Sequence, residues 1–234
     1  MRALVVQHDH VTEPGLVGAR LTERGYDLTA VTVVPEERRH ATDVTFDFPD
    51  AGDWDLIVSL GAPWSVYDET AVGGWIGGEP ALLRKAQHLA VPVLGVCFGA
   101  QALTAAGSVE ASSRPEIGWT EVDTHDPSLV GRGPWLQWHY DRCVPPPEAH
   151  VVARNEVCVQ AFRAGRSLGV QFHPEVTTRM LSGWLALGGA EQCVWQGLDP
   201  DELLARSRAM EPAARANARH LVDGFLDRVA YAAD

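Results

Sequence analysis

Lysine is almost missing from this sequence: Lys85 is the only one, and the other eighteen basic residues are arginine. We read that skew as coding bias of a GC-rich genome, not as chemistry. Basic residues are also outnumbered, 19 against 31 acidic, for a formal net charge of −12. That argues against a nucleic-acid partner, because non-specific affinity for a phosphate backbone comes from clustered Lys and Arg. It leaves a small anionic substrate open, since one site can differ from the global field. Long apolar runs are absent. Val91–Val96 falls far short of the roughly 18 residues of a membrane span, and Arg2–Val6 is too short for a signal peptide. Cysteine is scarce: Cys97, Cys143, Cys158 and Cys193 form no CxxC pair. With no export signal read, reduced thiols in a cytoplasm are expected. Repeats and low-complexity segments are missing too. What remains is ordinary globular composition, 46% hydrophobic and 21% charged over 234 residues. That excludes disorder, collagen and coiled coil and suits one α/β domain.

The opening reads β-α-β. Arg2–Val6 and Leu28–Val34 are strand candidates. Between them Glu13–Arg24 places Leu16, Val17 and Leu21 at helical spacing, with Gly25 as C-cap. This predicts a parallel sheet. Asp55–Leu60 is a third buried strand, Pro80–Ala90 an amphipathic helix, and Val91–Val96 a central strand apolar on both faces. Short strands follow at Gly118–Val122, Val151–Ala153, Val157–Phe162 and Leu168–Phe172. From Thr177 the pattern is helical, over Thr177–Leu187, Pro200–Ala209 and Pro212–Ala230, with Asp199 as N-cap and Pro200 at the first helical position. One domain spanning 1–234 is expected, with a helical C-terminal part from 177.

The most informative segment is Val93-Leu94-Gly95-Val96-Cys97-Phe98-Gly99-Ala100-Gln101. A buried strand runs into a Gly-x-Cys-x-Gly turn and then a helix, the sulfur version of a nucleophile elbow. Side chains two residues either side of a nucleophile on so sharp a turn would collide, hence Gly95 and Gly99. The φ of Cys97 is expected to be positive. The N-terminus of the following helix favours the thiolate, the reactive form, and the Phe98 N–H is placed to bind an oxyanion. Such a string arises by chance in roughly 1–2% of chains this long.

A thiol nucleophile needs a base, and the base an orienting group. Of nine histidines, His173 stands out. It follows the strand Leu168–Phe172, so it and Cys97 would share the C-terminal edge of a parallel sheet, where active sites form. In His173-Pro174-Glu175 the proline lets the carboxylate lie near the imidazole.

These residues resemble the class I (triad) glutamine amidotransferase family. Gly95–Gln101 is similar to its G-[IV]-C-x-G-x-Q signature and Gln171-Phe172-His173-Pro174-Glu175 to its Q-F-H-P-E signature. Ser59–Asp68 resembles the oxyanion-loop segment of the stand-alone, GMP-synthase-like branch, as do Glu116–Trp119 and Gln137–Asp141. The resemblance implies a flavodoxin-like sheet flanked by helices. It implies that Cys97 attacks the side-chain amide of glutamine, that His173 shuttles protons and that Glu175 orients His173. The oxyanion hole would be the N–H groups of Phe98 and of Ala62 or Gly61. Gln101 and a Trp138–Asp141 loop, with Tyr140 in it, would hold the α-amino and α-carboxylate groups. Three positions depart from the pattern. Ala62 replaces a glycine and is less free to take positive φ; Ala100 replaces a frequent histidine; Tyr140 replaces a common glycine, and either reshapes the pocket or points outward.

Other features read as bland. Most of the eight tryptophans are assigned to packing, with Trp64 and Trp138 expected to wall the site. His8-Asp9-His10 has no second ligand cluster, so neither metal nor cofactor is expected. Gly73-Gly74…Gly77-Gly78 lacks a phosphate-loop ending and reads as a flexible loop or lid. Cys143, Cys158 and Cys193 are expected to be structural. Three functions follow: a glutaminase delivering ammonia to a separate synthetase, a stand-alone hydrolase of γ-glutamyl amides or peptides, and a non-catalytic binding or regulatory protein. The intact Cys97, His173 and Glu175 weigh against the third. The helical stretch after Glu175 leaves no room for an ATP-using domain, so any acceptor chemistry is expected on another polypeptide. No nucleic-acid or membrane partner is expected, and homo-oligomerisation is left open.

Overall fold

The computed structural model describes residues 1–104 and 108–231. In chain order the elements are β1 (Arg2–Gln7), α1 (Gly15–Glu23), β2 (Asp27–Thr32), β3 (Leu56–Ser59), α2 (Glu69–Ile76), α3 (Gly78–His88), β4 (Val93–Val96), α4 (Phe98–Leu103), β5 (Ser108–Thr120) and β6 (Asp123–Thr124). They continue with β7 (Trp135–Val144), β8 (His150–Arg154), β9 (Val159–Ala164), β10 (Ser167–Val170), α5 (Thr178–Trp184), α6 (Ala190–Trp195) and α7 (Pro200–Phe225).

The main sheet has the order β2-β1-β3-β4-β10-β9-β8-β6. Its first five strands are parallel and the last three joints antiparallel. The parallel part is the flavodoxin-like order, whose ligand crevice lies beyond the carboxyl ends of the strands where strand order reverses. Period-2 alternation explains the two-sided core. Ala3 and Val5 of β1 pack with Val17 and Leu21 of α1 and Leu221 and Phe225 of α7. Leu4 and Val6 face the other way, onto Val72, Trp75, Leu82 and Leu83 of α2 and α3. Side chains of successive strand residues point to opposite faces, so an unbroken apolar run suits a sheet covered on both.

Several elements differ from the sequence reading. The segment around Trp138–Asp141 is not a loop: it lies inside β7, which pairs with β5 in a separate two-stranded antiparallel sheet. Gly73, Gly74, Gly77 and Gly78 are no lid; they belong to α2, α3 and their junction. The Asp68 carboxylate caps α2 by accepting from the Thr70 N–H. A Cβ on Gly74 would come within 2.6 Å of the Val44 carbonyl, so glycine there admits close approach of the 42–44 segment. The two expected C-terminal helices are one, α7, with Pro212 inside it. Pro212 and Arg208, whose carbonyl loses its N–H partner, both lie outside the core, so water can take the orphaned carbonyl. The helix expected over Thr177–Leu187 breaks instead at Leu187 and Gly188, where Gly188 has φ +103°.

Candidate active site

Strands β4 and β10 are adjacent and parallel, with Val96 opposite Val170. Their carboxyl ends therefore emerge side by side, and Cys97 and His173 follow them. The Cys97 N–H donates to the Val170 carbonyl at 2.7 Å, tying the two ends together. Cys97 has φ +50° and ψ −105°, an uncommon conformation for a residue with a Cβ. The flanking glycines show how it is enforced. A Cβ on Gly95 would meet the Gly99 carbonyl at 2.7 Å, and one on Gly99 would meet both oxygens of Ser59 at 2.2 Å. The turn is closed only because both side chains are missing.

His173 Nδ1 lies 2.8 Å from Glu175 Oε1, with both side chains buried. The carboxylate only accepts, so the proton sits on Nδ1 and Nε2 is left to face the reaction. Among the described residues His173 Nε2 and Glu175 Oε2 are buried without a hydrogen-bond partner. Burial opposes the charged imidazole, but the Glu175 carboxylate and the Cys97 sulfur outweigh it, and the His173 pKa is pushed well above the ordinary histidine value. The ring packs edge-on against Trp184 at 4.9 Å. Gln171 Nε2 approaches the Cys97 sulfur at 3.6 Å.

A cavity of about 500 Å³ opens above this pair. Its walls include Gly61, Ala62, Phe98, Gln101, Trp138, Tyr140 and Asp141, so every residue expected for the oxyanion hole and the glutamine pocket borders one space. Trp64 lines it as well. Phe98 is the first residue of α4, where an N–H has no intrahelical acceptor. Ala62 is not among the residues with positive φ, so alanine fits there without strain. Tyr140 borders the cavity while 39% exposed, which places it at the mouth. The Asp141 carboxylate accepts from the Ser65 hydroxyl and, at 2.5 Å, from the Tyr67 hydroxyl.

Several neighbours carry no signal in the sequence. Trp138 Nε1 donates to Gln192 Oε1 at 2.9 Å, bringing α6 to the rim. Behind the oxyanion loop, His8 contacts Glu79 and Gly61; the His8–His10 motif does not gather as ligands. The three potential metal ligands that do gather among the described residues are Glu116, His139 and Cys158. Gln160 Nε2 already donates to both Glu116 and Cys158, at 2.9 and 3.2 Å, so the cluster reads as a hydrogen-bonded network. Burial pushes the Cys158 thiol up to about 12 and the Cys143 thiol up as well. Both stay protonated and unreactive, and no disulfide joins the four buried cysteines.

Residues 17–183 match the family model for class-I glutamine amidotransferases. The chain belongs to that family. Its similarity extends to the GMP synthase of Aeropyrum pernix, 36% identical over 145 residues, which are 51% of this chain and 28% of that protein. A glutamine-hydrolysing GMP synthase subunit from Saccharolobus solfataricus is 33% identical over 134 residues, covering 53% of this chain and 68% of that subunit. The chain thus spans under a third of the full-length GMP synthase and about two thirds of the separate subunit. A Thermotoga maritima glutamine amidotransferase structure has the same fold, with a TM-score of 0.81 at 23% identity over 97% of this chain and 98% of that one. One from Methylobacillus flagellatus gives 0.78 at 25% identity, covering 96% and 94%. As a class I amidotransferase, the protein falls among enzymes that hydrolyse the glutamine amide. No helix among the described residues is long and apolar enough to cross a membrane.

Proposed function

We propose that this amidotransferase hydrolyses glutamine through a γ-glutamyl thioester on Cys97 and releases ammonia to a separate acceptor enzyme. The Cys97 sulfur attacks the side-chain amide carbon, and the carbonyl π pair moves onto oxygen. The Phe98 and Ala62 N–H groups stabilise that oxyanion, worth about 10²–10³ in kcat for one such donor. As the C–N bond breaks, His173 Nε2 protonates the nitrogen, which leaves as ammonia. His173 then takes a proton from water, whose oxygen attacks the thioester. The sulfur leaves, and glutamate is freed. Glu175 holds the Nδ1 proton and stabilises the imidazolium. Gln101, Trp138, Tyr140 and Asp141 hold the α-amino and α-carboxylate groups. The single observation that carries this reading is the 2.8 Å Glu175–His173 pair set beside a positive-φ cysteine on the adjacent strand end. Similarity to a GMP synthase whose glutamine-hydrolysing part is a subunit of its own supports a separate acceptor.

A second reading has one observation in its favour. The cavity continues past the triad to His10, Arg39 and His40, which leaves room beyond a bare amide for a larger γ-glutamyl leaving group. Glutamate release from glutamine and from a panel of γ-glutamyl amides and peptides separates the two. The ammonia-delivery reading expects glutamine to be preferred, and Cys97→Ala to abolish release from every substrate. Full turnover by Cys97→Ala would sink both.

A further inference from the structure

The proposed oxyanion hole depends on how one peptide is turned. Gly61 carries no side chain, so the Gly61–Ala62 peptide has little intrinsic resistance to rotating over. Behind it lies a chain of polar groups with no access to the cavity. His8 follows β1 and is fully buried, as are Ser59 and Glu79. His8 Nδ1 is 3.1 Å from the Gly61 carbonyl oxygen and Nε2 is 2.9 Å from Glu79 Oε2. The other Glu79 oxygen accepts from the Ser59 hydroxyl at 2.5 Å. A carbonyl can only accept, so Nδ1 carries a proton. Burial disfavours a charged His8, yet Glu79 more than compensates and its pKa is raised. The ring is clamped between Trp75, stacked at 5.5 Å, and Phe98 at 4.7 Å. A buried ion pair is weak evidence for stability, since apolar replacements of like volume are often neutral or better. Its placement against the loop suggests another use.

We propose that His8 is a positioning residue for the oxyanion hole, holding the Gly61 carbonyl away from the cavity so that the Ala62 N–H faces into it. In a planar trans peptide the C=O and the following N–H point in opposite directions. His8, Ser59 and Glu79 do not border the cavity, whereas Gly61 and Ala62 do. Fixing the oxygen toward His8 therefore sends the Ala62 N–H to the cavity side. The backbone on either side is held too: the Leu60 N–H donates to the Val6 carbonyl and the Leu60 carbonyl accepts from the Gly99 N–H, both at 3.1 Å. The peptide between Gly61 and Ala62 is the element left for His8 to hold.

The inference rests on the hydrolytic reading above, and the test keeps the two apart. His8→Leu/Glu79→Gln removes the donor without stranding a buried charge. His8→Asn/Glu79→Gln restores an N–H donor near the position of Nδ1. The readouts are kcat and KM for glutamine, and the rate at which iodoacetamide alkylates Cys97, a reaction that forms no oxyanion. The Leu variant should lose about 10²-fold in kcat, with KM and alkylation within about threefold of wild type, and the Asn variant should recover at least about tenfold of it. Ser59→Ala, which keeps the charged pair, covers the case of a double variant that fails to fold, and should lower kcat about threefold to tenfold at unchanged KM. The inference is overturned if the Leu variant, or Ser59→Ala in its place, keeps wild-type kcat. It is equally overturned if alkylation falls as far as kcat, or if Asn gives no rescue. Wild-type turnover that survives Cys97→Ala would instead sink the hydrolytic reading itself.

Discussion

Replacing Gly99 with alanine puts a methyl group where the molecule has no room for one. The new carbon would lie 2.2 Å from both the carbonyl and the hydroxyl oxygen of Ser59, where ordinary contact begins at 3.4 Å. One side must withdraw by about 1.2 Å, the difference between those two distances. Ser59 is the less free to move: it ends a strand held between β1 and β4, and its hydroxyl is bonded to buried Glu79. The shift therefore falls on α4, whose first turn carries Cys97 and the Phe98 N–H. Misplacing reacting groups by about 1 Å can cost about 10²-fold in rate, and overpacking typically costs about 1–3 kcal/mol. Around 2 kcal/mol corresponds to a fall of roughly 4–8 °C in Tm for a chain of this size. Gly77→Ala is the matched control. Gly77 has φ −63° and open space around its Cβ position, so alanine there should raise stability by about 0.4–1 kcal/mol and leave turnover alone. Glutamate release and thermal unfolding are measured on both. A Gly99→Ala enzyme within about threefold of wild-type kcat would refute the assignment of this contact as the one that sets the elbow, since the contact should carry about 10²-fold.

Glu175→Gln keeps the shape of the pair and removes its charge. It should lower kcat by about 10³-fold with little change in KM, since a charge lost a few ångströms from an imidazolium is worth up to about 4 kcal/mol; stopped-flow or steady-state glutamate release measures it. The pH profile of kcat/KM should be a bell whose two macroscopic values belong to the coupled Cys97–His173 pair. Its alkaline limb should lie above the ordinary histidine value, because Glu175 and Cys97 raise the His173 pKa, and Glu175→Gln should move that limb to lower pH; a flat profile would count against the pair. Stability follows the same sign. His173 and His8 both have raised folded-state values, so their contribution is complete below about pH 6.5 and fades as pH rises through the folded values. Urea midpoints should accordingly fall on the alkaline side. Tyr67→Phe frees one oxygen of Asp141 and should change KM for glutamine by several-fold, up to about tenfold, while kcat holds; an altered kcat with constant KM would remove Asp141 from the α-amino contact.

The features legible in the sequence are those that rest on local sterics and period. Gly95 and Gly99 announce the elbow because the clash they avoid lies within a few residues, and a two-sided apolar run such as Val93–Val96 has few homes other than a central parallel strand. The Trp138–Asp141 segment reads as a loop because its residues obey a pairing with β5 more than twenty positions away, and a strand in a two-stranded sheet carries less of its own apolar signal than a core strand. Pro212 reads as a helix boundary because that rule assumes an orphaned carbonyl without water, whereas this one can reach solvent. The polar chain behind the site is the least legible part. Glu79 opens a helix among ordinary polar residues and looks like a dipole-complementing acid, while His8 sits in a motif that suggests metal. Only the crossing of β1, β3 and α3 brings these groups together, since Glu79 lies 71 positions from His8 and 20 from Ser59. The triad follows the opposite logic. His173 and Glu175 are two residues apart, so their pairing is nearly local, and the one long-range step, from His173 to Cys97, is delivered by two neighbouring parallel strands in register.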